Sequence, residues 1–377
     1  MSDQRGEQAM NRNPRVLLLW ARLSAYLRAE LKALEARGVD ILLVHEAEAA
    51  GAPFEAETVR GGLRAHTWHG RPDLEETRAL VAEFQPDVAL ICSWDNGVYR
   101  RLGRELQGKA LRILTMDNQW LGTLKQRAGV AASRFVVRPA YDAALVAGER
   151  QATFATKLGF PLERIVWGLY TADHDRYAEV ARQRGDRLPP AAFVFVGRLV
   201  PEKAVDVLAE AYRRYRASVV DPWPLLVAGI GPEAPRLEPL EGVKMLGFVQ
   251  PPDLPAVLGE AGCLVIPSRY EPWAVVIHEA TSAGLPVVCS HACGSSTRLV
   301  LDGHNGVVTT TGDVDAFAAG LRRVHCWSDE RRRAAGEASS RLALQYSPDR
   351  WAENLLDRIP DLREQVGLEA APWAGEA

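Results

Sequence analysis

The chain has 377 residues, 47% of them hydrophobic and 25% charged, which excludes wholesale disorder and suits two domains better than one. Its formal charge of −3 gives no reason to expect nucleic-acid binding. The apolar run Val16–Ala21 near the start is too short for a signal sequence or a membrane span. We therefore expect a soluble, cytoplasmic protein.

Short apolar runs alternate with helical patterns along the chain. Strands are predicted, in chain order, at Val16–Trp20, Ile41–Val44, Val88–Cys92, Ile113–Met116, Ala144–Ala147, Phe193–Val196, Leu225–Ala228, Val243–Leu246, Cys263–Ile266, Val287–Cys289 and Val307–Thr309. Helices are predicted at Ser24–Arg37, Leu74–Phe84, Ala204–Tyr215 and Val314–Val324. Continuously apolar strands separated by helices indicate parallel sheets covered on both faces. The prediction is an α/β fold built twice.

The domain boundary is expected where apolar residues become scarce. A first domain over residues 1–172 is followed by a linker at 173–190, which ends on a Pro-Pro pair. A second domain over 191–346 and a final helical segment over 347–377 complete the chain.

The strongest chemical signal follows the strand at Phe193–Val196. That strand ends on Gly197 and Arg198, and Lys203 lies at the start of the next helix. Two cations beside a helix N-terminus suit a diphosphate. The alternative is that both cations pair with nearby acids such as Glu202 and Asp206.

A second signal follows the strand at Cys263–Ile266. Glu271 lies in the loop, a helix is expected to begin near Pro272–Ala274, and Glu279 lies early in that helix. Free backbone N–H groups of Ala274, Val275 and Val276 would point at a ligand before the helix. Carboxylates accept hydrogen bonds from vicinal diols, so the ligand would carry phosphates and hydroxyls.

These and further short motifs, in this order, resemble a retaining glycosyltransferase of the GT-B fold, family 4 type. The matching pieces are Gly197-Arg198 with Pro201-Glu202-Lys203, Ala228-Gly-Ile-Gly231-Pro232, Leu246-Gly-Phe248, Glu271-x7-Glu279, Ala283-Gly-Leu-Pro286, Cys293-Gly294-Ser and Asp302-Gly-His-Asn-Gly306. The resemblance covers residues 140–310 well and residues 1–140 loosely.

The resemblance implies two Rossmann-like domains whose parallel sheets face each other across an interdomain cleft, with the segment 347–377 crossing back to the first domain. Residues 1–172 would bind the acceptor and 191–346 the nucleotide-sugar donor. The activity implied is transfer of a sugar from a nucleotide-diphosphate donor, by default a UDP-sugar, to a hydroxyl of a glycan, lipid-linked or small-molecule acceptor. Configuration would be retained, with neither metal nor other cofactor.

The resemblance also assigns roles to the donor-site residues. Arg198 and Lys203, beside Gly197, would neutralise the leaving diphosphate. Glu279 would bind the ribose hydroxyls and Glu271 the donor sugar. The other donor contacts implied are the backbone at Ala274, Val275 and Val276, and the turn at Gly247 and Phe248 beside the nucleobase.

Three features depart from the family pattern. Ala274 stands where the family often has glycine, which could crowd the donor sugar. The first strand–helix loop lacks glycine, and its Arg22 is either an anion contact or a plain surface arginine. A histidine common after the strand at Ile113–Met116 is replaced by Asp117-Asn118.

Polar residues beside tryptophans follow two strands of the first half and are the acceptor-site candidates. They are Asp95, Asp117, Asn118 and Trp120. Amides and acids beside an aromatic face suit a hydroxylated ring, and parallel strands open at their carboxyl edge. Asp95 and Asp117 are either bases toward an acceptor hydroxyl or helix N-caps.

The segment 118–141 has no acidic residue but four cations, Lys125, Arg127, Arg134 and Arg138, with Trp120 and Phe135. One interpretation is a solvated helix face. The other is a peripheral contact with anionic lipid at the inner membrane surface, or with an anionic acceptor.

Two alternatives to glycosyl transfer stay open at this point. A nucleotide-sugar epimerase or a sugar phosphorylase could share the fold, and a non-catalytic partner subunit could carry the same motifs with weakened binding. Nucleobase, donor sugar, acceptor identity and oligomeric state do not follow from the sequence.

Overall fold

The computed structural model describes residues 12–21, 23, 25–47, 61–70, 72–371 and 373. They divide into two compact units. The first contains the described residues up to Tyr170 together with those from Pro348 onward, and the second contains Thr171–Ser347.

The first unit is built on a seven-stranded sheet. Its strands are β1 (Arg15–Trp20), β2 (Asp40–Glu46), β3 (Arg64–Trp68), β4 (Val88–Cys92), β5 (Leu111–Met116), β6 (Ala143–Val146) and β7 (Ile165–Trp167). They pair in the order β3-β2-β1-β4-β5-β6-β7, and every pair is parallel. The strand order therefore reverses beside β1, between its neighbours β2 and β4.

Helices cross between these strands. They are α1 (Ala25–Glu35), α2 (Leu74–Phe84), α3 (Gly97–Glu105), α4 (Leu124–Val136) and α5 (Glu149–Lys157). Central strands are buried along their length, and Val88–Ile91 is at most 1% exposed. This is why their sequence is continuously apolar rather than alternating.

The second unit has a six-stranded sheet. Its strands are β8 (Phe193–Val196), β9 (Leu225–Ala228), β10 (Val243–Gly247), β11 (Cys263–Ile266), β12 (Val287–Ser290) and β13 (Gly306–Thr309). They pair in parallel in the order β10-β9-β8-β11-β12-β13. Here the order reverses beside β8, between β9 and β11.

The helices of the second unit are α6 (His174–Arg184), α7 (Val205–Arg216), α8 (Leu254–Gly259), α9 (Val275–Ser282), α10 (Ser296–Leu299), α11 (Val314–His325) and α12 (Asp329–Leu344). One cluster of buried apolar residues runs through β8, β11, β12, α7, α9 and α11. The last helix, α13 (Pro348–Gln365), belongs to the first unit, where it packs on α1 and β5.

The linker predicted at 173–190 is wrong for most of its length. Residues 174–184 form α6, and His174 and Tyr177 of that helix are buried in the second unit. Its polar composition misled the prediction because only one side of this short helix is covered. The chain instead passes from one unit to the other between Tyr170 and Thr171.

None of the helices formed by the described residues combines the length and the apolar character that crossing a bilayer requires.

Candidate functional site

The two sequence signals of the second half lie at the switch point of its sheet. β8 and β11 are neighbours, and the connections leaving them run to opposite sides of the reversal in strand order. Ligands of open α/β sheets bind in the crevice outside the carboxyl ends of strands at such a point. Topology therefore places the Gly197–Lys203 loop and the Arg269–Ala274 loop side by side.

Glycine is required where the ends of β8 and β9 meet. Gly197 has φ +154°, and its N–H donates to the carbonyl of Ala228 at 3.0 Å. Gly229 has φ +159°, and a Cβ there would lie 1.9 Å from the Gly197 carbonyl oxygen. The backbone of these two loops is therefore closely packed.

The two cations of the first loop have different surroundings. Lys203 forms an ion pair with Glu271, and both side chains are largely buried. Arg198 is exposed and has no ion pair or side-chain hydrogen bond among the described residues. The alternative pairing of Lys203 with Glu202 or Asp206 is therefore wrong. The structure brings together two predicted site residues 68 positions apart.

A clamp that the sequence did not reveal fixes the two loops to each other. Arg269 makes a bidentate ion pair with Asp206, both contacts being 2.6 Å. The backbone N–H of Arg269 also donates to the carbonyl of Glu202 at 2.8 Å. Because Glu202 and Asp206 flank Lys203, the clamp holds the loop that presents this lysine against the loop that presents Glu271.

The helix α9 begins without a capping side chain. Its N-cap residue, Ala274, has left-handed backbone angles (φ 71°, ψ 71°) and is buried. N–H groups in the first turn of a helix lack partners within the helix, so those of Val275 and Val276 remain available to an anion. The preceding loop is held by N–H donation from Gly294 to Glu271 and from Ser295 to Trp273, at 3.0 and 2.7 Å.

Glu279 faces Tyr177 of α6. The tyrosine hydroxyl donates to the glutamate Oε1 at 3.0 Å. Burial raises the pKa of Glu279 to about 7, opposed by the Tyr177 hydrogen bond and by the positive charge of Arg176. A carboxylate with one fixed donor and a raised pKa can accept further hydrogen bonds from a hydroxylated ligand.

Two histidines near α9 have structural contacts. The N–H of Ala172 donates to His278 Nδ1 at 2.9 Å, so Nε2 carries the proton that is donated to the Ala343 carbonyl at 3.0 Å. Burial lowers the pKa of His278 to about 4. His174 contacts Ser282 at 3.2 Å. His278 therefore stays neutral and links α9 to α12 and to the start of the unit.

The turn predicted to flank a nucleobase lies on the same edge of the sheet. Gly247 ends β10, and its carbonyl accepts from the Gly229 N–H at 2.7 Å. Phe248 follows and is partly exposed. The predicted donor residues thus occupy adjacent strand ends of β8, β9, β10 and β11 and the start of α9.

In the first unit, Asp117 is the predicted residue in the most specific surroundings. It follows β5 and is half-buried; the Tyr170 hydroxyl donates to its Oδ2 at 3.1 Å. The Gln151 amide donates to its backbone carbonyl at 2.9 Å. Burial raises the pKa of the Asp117 carboxyl, and the Tyr170 hydrogen bond opposes the increase.

The other acceptor candidates are less enclosed. Asp95 is exposed and pairs with Lys125 at 2.5 Å, and Asn118 is exposed. Trp120 packs on Phe154 with ring centroids 5.6 Å apart, while Lys157 lies over its ring. Arg22 lies outside the described residues. The structure thus brings Trp120 and the strand end at Asp117 together.

The alternative that Asp95 and Asp117 are helix N-caps is wrong. Asn96 caps α3, with its side-chain oxygen accepting from the N–H groups of Val98 and Tyr99. Thr123 caps α4. Both aspartates therefore keep their carboxylates for other partners.

Among the described residues, no group of three or more histidine, cysteine, aspartate or glutamate side chains could hold a metal ion. Independence from metal stays a prediction.

Comparison with known proteins finds a family that resembles the second unit. The model of the family described as "Glycosyl transferases group 1" matches residues 178–341, which include both loops of the switch point and α9. This part of the chain is therefore similar to the group 1 glycosyltransferases.

Individual relatives agree with this similarity. The chain is 35% identical to the D-inositol 3-phosphate glycosyltransferase of Salinispora tropica over 206 residues, which cover 50% of this chain and 42% of that protein. It is 28% identical to the enzyme of the same name from Thermomonospora curvata, over 93% of this chain and 92% of that protein. The chain thus spans less than half the length of the first of these relatives.

A solved structure supports the fold. A structure of HepE from Anabaena in complex with UDP and glucose superposes with a TM-score of 0.68 and 16% identity, covering 93% of this chain and all of that one. The two parallel-sheet units match the GT-B fold, as the sequence predicted.

Arg269, Tyr177 and Ala204 were not predicted from the sequence, and Asp206 was considered only as a partner of Arg198 and Lys203. Arg269, Asp206 and Tyr177 act through contacts 63 to 102 positions apart, which no local spacing reveals. Ala204 precedes α7 with φ 55° and is fully buried, like Ala274 before α9. The sequence does point to Ala204, because this residue directly follows Lys203 in the loop between β8 and α7.

Proposed function

We propose that this chain is a retaining glycosyltransferase that moves a sugar from a nucleotide-diphosphate donor to a hydroxyl acceptor. One observation carries the proposal. The switch point of the second sheet carries Arg198, which has no ion pair among the described residues, and the Lys203–Glu271 pair. The uncapped start of α9 leads from there to Glu279. The cations and the free N–H groups suit the phosphates of a nucleotide sugar, and the carboxylates suit its hydroxyls.

The cations act on the leaving group. Cleavage of the bond between the anomeric carbon and the phosphate oxygen leaves negative charge on the diphosphate. Arg198, Lys203 and the first N–H groups of α9 would stabilise that charge, and they would act most in the transition state. Lys203 would exchange part of its contact with Glu271 for the phosphate, which frees Glu271 to accept from a sugar hydroxyl. This scheme uses no metal.

The acceptor is assigned to the first unit. Asp117, with its raised pKa and its hydrogen bond from Tyr170, would accept from the acceptor hydroxyl and orient it. We favour attack on the face from which the diphosphate departs. The acceptor oxygen bonds to the anomeric carbon, and its proton passes to the departing phosphate oxygen, so configuration is retained without a covalent enzyme intermediate.

UDP is the donor nucleotide we propose. Its support is that the Anabaena relative in fold was solved with UDP and glucose. The relatives named D-inositol 3-phosphate glycosyltransferase act on a hydroxylated ring, which agrees in kind with an acceptor site of polar side chains beside Trp120.

The test is turnover by the full chain with a panel of UDP-sugars, following release of UDP. Arg198→Ala and Lys203→Ala should each lower turnover about tenfold or more, because each removes charge stabilisation from the leaving group. Arg333→Ala is the matched control, since Arg333 is an exposed arginine on α12. Thermal unfolding verifies that each variant is folded.

The products separate the proposal from its alternatives. Free sugar or an isomerised donor formed without any acceptor would indicate an epimerase, and strict dependence on inorganic phosphate would indicate a phosphorylase. Turnover near that of the wild type in both variants would overturn the assignment of these two residues.

A further inference from the structure

The outer face of α4 is apolar. Leu124, Ala128, Ala131 and Phe135 lie three or four residues apart, so they share one side of the helix. All four are exposed, Leu124 by 84% and Phe135 by 64%. Leu121, just before the helix, is 55% exposed.

The inner face of the same helix makes both apolar and polar contacts: Val130 packs against the core of the first unit, and a Cβ at Gly129 would lie 2.7 Å from the Trp94 ring. Gln126 is buried; its amide donates to the Gln119 carbonyl at 2.8 Å, and its oxygen accepts from the Leu121 N–H at 2.8 Å. Ser133, seven residues on, is buried and donates to the Leu158 carbonyl. A surface helix normally turns its apolar side toward the core. Here the hydrogen bonds of Gln126 and Ser133 hold α4 in an orientation that leaves its largest apolar side chains, Leu124 and Phe135, exposed.

Cations surround the apolar residues. Lys125 is 71% exposed in its side chain, and Arg127, Arg134 and Arg138 are exposed. The guanidinium of Arg134 stacks on the Phe135 ring at 4.4 Å. No acidic residue occurs between 118 and 141, although Asp95 of the neighbouring loop pairs with Lys125.

Arg104 of α3 adds a further cation at the end of α4. It donates to the carbonyls of Phe135 and Val136 at 3.0 and 3.3 Å. The positive charge at this end therefore comes from two elements, not from α4 alone.

We propose that the Leu124 face, meaning Leu121, Leu124, Ala128, Ala131 and Phe135 with the flanking Lys125, Arg127 and Arg134, binds the surface of an anionic phospholipid bilayer. The apolar side chains enter the boundary between headgroups and acyl chains while the cations contact lipid phosphates. The charge decides the occupant. A ring of cations around a narrow apolar strip complements anionic headgroups, whereas a second copy of the same face would bring like charges together. This proposal does not depend on the proposed function.

The test is sedimentation of the full chain with vesicles of phosphatidylcholine alone or mixed with phosphatidylglycerol. The mixed vesicles should bind the chain, and binding should weaken at high salt because the electrostatic contribution is screened. The double variant Leu124→Gln, Phe135→Gln should bind about tenfold less. Leu344→Gln is the control, because Leu344 is 57% exposed but lies on α12 of the other unit.

A second variant separates charge from apolar contact. Arg127→Gln with Arg134→Gln should lose binding to the mixed vesicles and the salt dependence together. Circular dichroism verifies that α4 is retained in all variants. Absence of wild-type binding, or equal binding by the Leu124, Phe135 variant, would overturn the proposal. So would a dimer in light scattering that this variant dissociates, since the face would then join two copies of the chain.

Discussion

The carboxyl group of Glu279 lies in surroundings that disfavour its charged form. Burial raises its pKa from an ordinary value of 4.5 to about 7, so the folded chain holds the proton more tightly than the unfolded chain does. A group of this kind stabilises the fold fully below pH 4.5, and the contribution is lost as the pH rises through about 7. The charged form, which accepts hydroxyls best, is thus obtained at the expense of stability.

Glu279→Gln should separate these two effects. At pH 8 the variant should be more stable than the wild type, by up to roughly 3 kcal/mol, because no charge is then buried. At pH 4.5 the two should be equally stable. Urea unfolding at both pH values measures the difference, and a variant that is less stable than the wild type at pH 8 would contradict the raised pKa.

Glu279→Gln should have the opposite effect on nucleotide binding: the substitution that stabilises the fold at high pH should weaken the affinity for nucleotide there. The ratio of wild-type to Glu279→Gln affinity should increase between pH 6 and pH 8, as Glu279 loses its proton. Taking the ratio at each pH cancels the titration of the nucleotide itself. A ratio that is constant across this range would show that Glu279 does not bind the nucleotide through its charged form.

For individual residues, the sequence indicates the candidate site residues more readily than the side chains that contact them. Arg198, Lys203, Glu271 and Glu279 occur in motifs whose spacing is local, so they could be predicted. Tyr177 could not, because its contact with Glu279 joins residues 102 positions apart across α6 and α9. The N-cap interpretation of Asp95 failed because the neighbouring Asn96 occupies that position with equal chemical fitness.

At the start of α9, the backbone has a conformation that glycine adopts more easily than the alanine found there. Ala274 adopts a left-handed conformation there, which costs an alanine about 1–2 kcal/mol. Ala274→Gly relieves this strain but increases the freedom of the unfolded chain, which offsets about 0.5–1 kcal/mol. We expect a net gain in stability of about 0.5 kcal/mol, measured by thermal unfolding.

Ala280→Gly is the matched control for this prediction. Ala280 is fully buried inside the same helix, where glycine should cost about 1 kcal/mol. The two substitutions should therefore have effects of opposite sign. Destabilisation of similar size at both positions would argue against strain at the helix start.

Elements are predictable where burial is complete. Central strands such as β4 and β11 match their predicted bounds, because full burial demands a continuous apolar run. β3 was missed because it is an edge strand, paired with β2 alone and mostly half-exposed. β7 was also missed, because it has only three residues. Helix α4 was anticipated as a basic segment, but the exposure of Leu124 and Phe135 depends on the contacts that Gln126 and Ser133 make on its other side.

At the scale of the whole molecule, two parallel sheets each reverse their strand order once, and the predicted residues follow strands at or next to these reversals. In the second sheet, the loops after β8 and β11 carry Arg198, Lys203 and Glu271. In the first sheet, β4 lies at the reversal and β5 beside it; Asp95 and Asp117 follow them. Fold and site agree without reference to any relative, because crevices form where neighbouring connections diverge.

The central claim is that the second unit binds a nucleoside diphosphate through Arg198. The most direct measurement is calorimetric titration of the full chain with UDP, GDP, ADP and dTDP, with and without EDTA, beside Arg198→Ala and the control Arg333→Ala. We predict micromolar binding of UDP that EDTA does not change, that Arg333→Ala retains and that Arg198→Ala loses. Absence of binding by any of the four nucleotides, or undiminished binding by Arg198→Ala, would contradict the account.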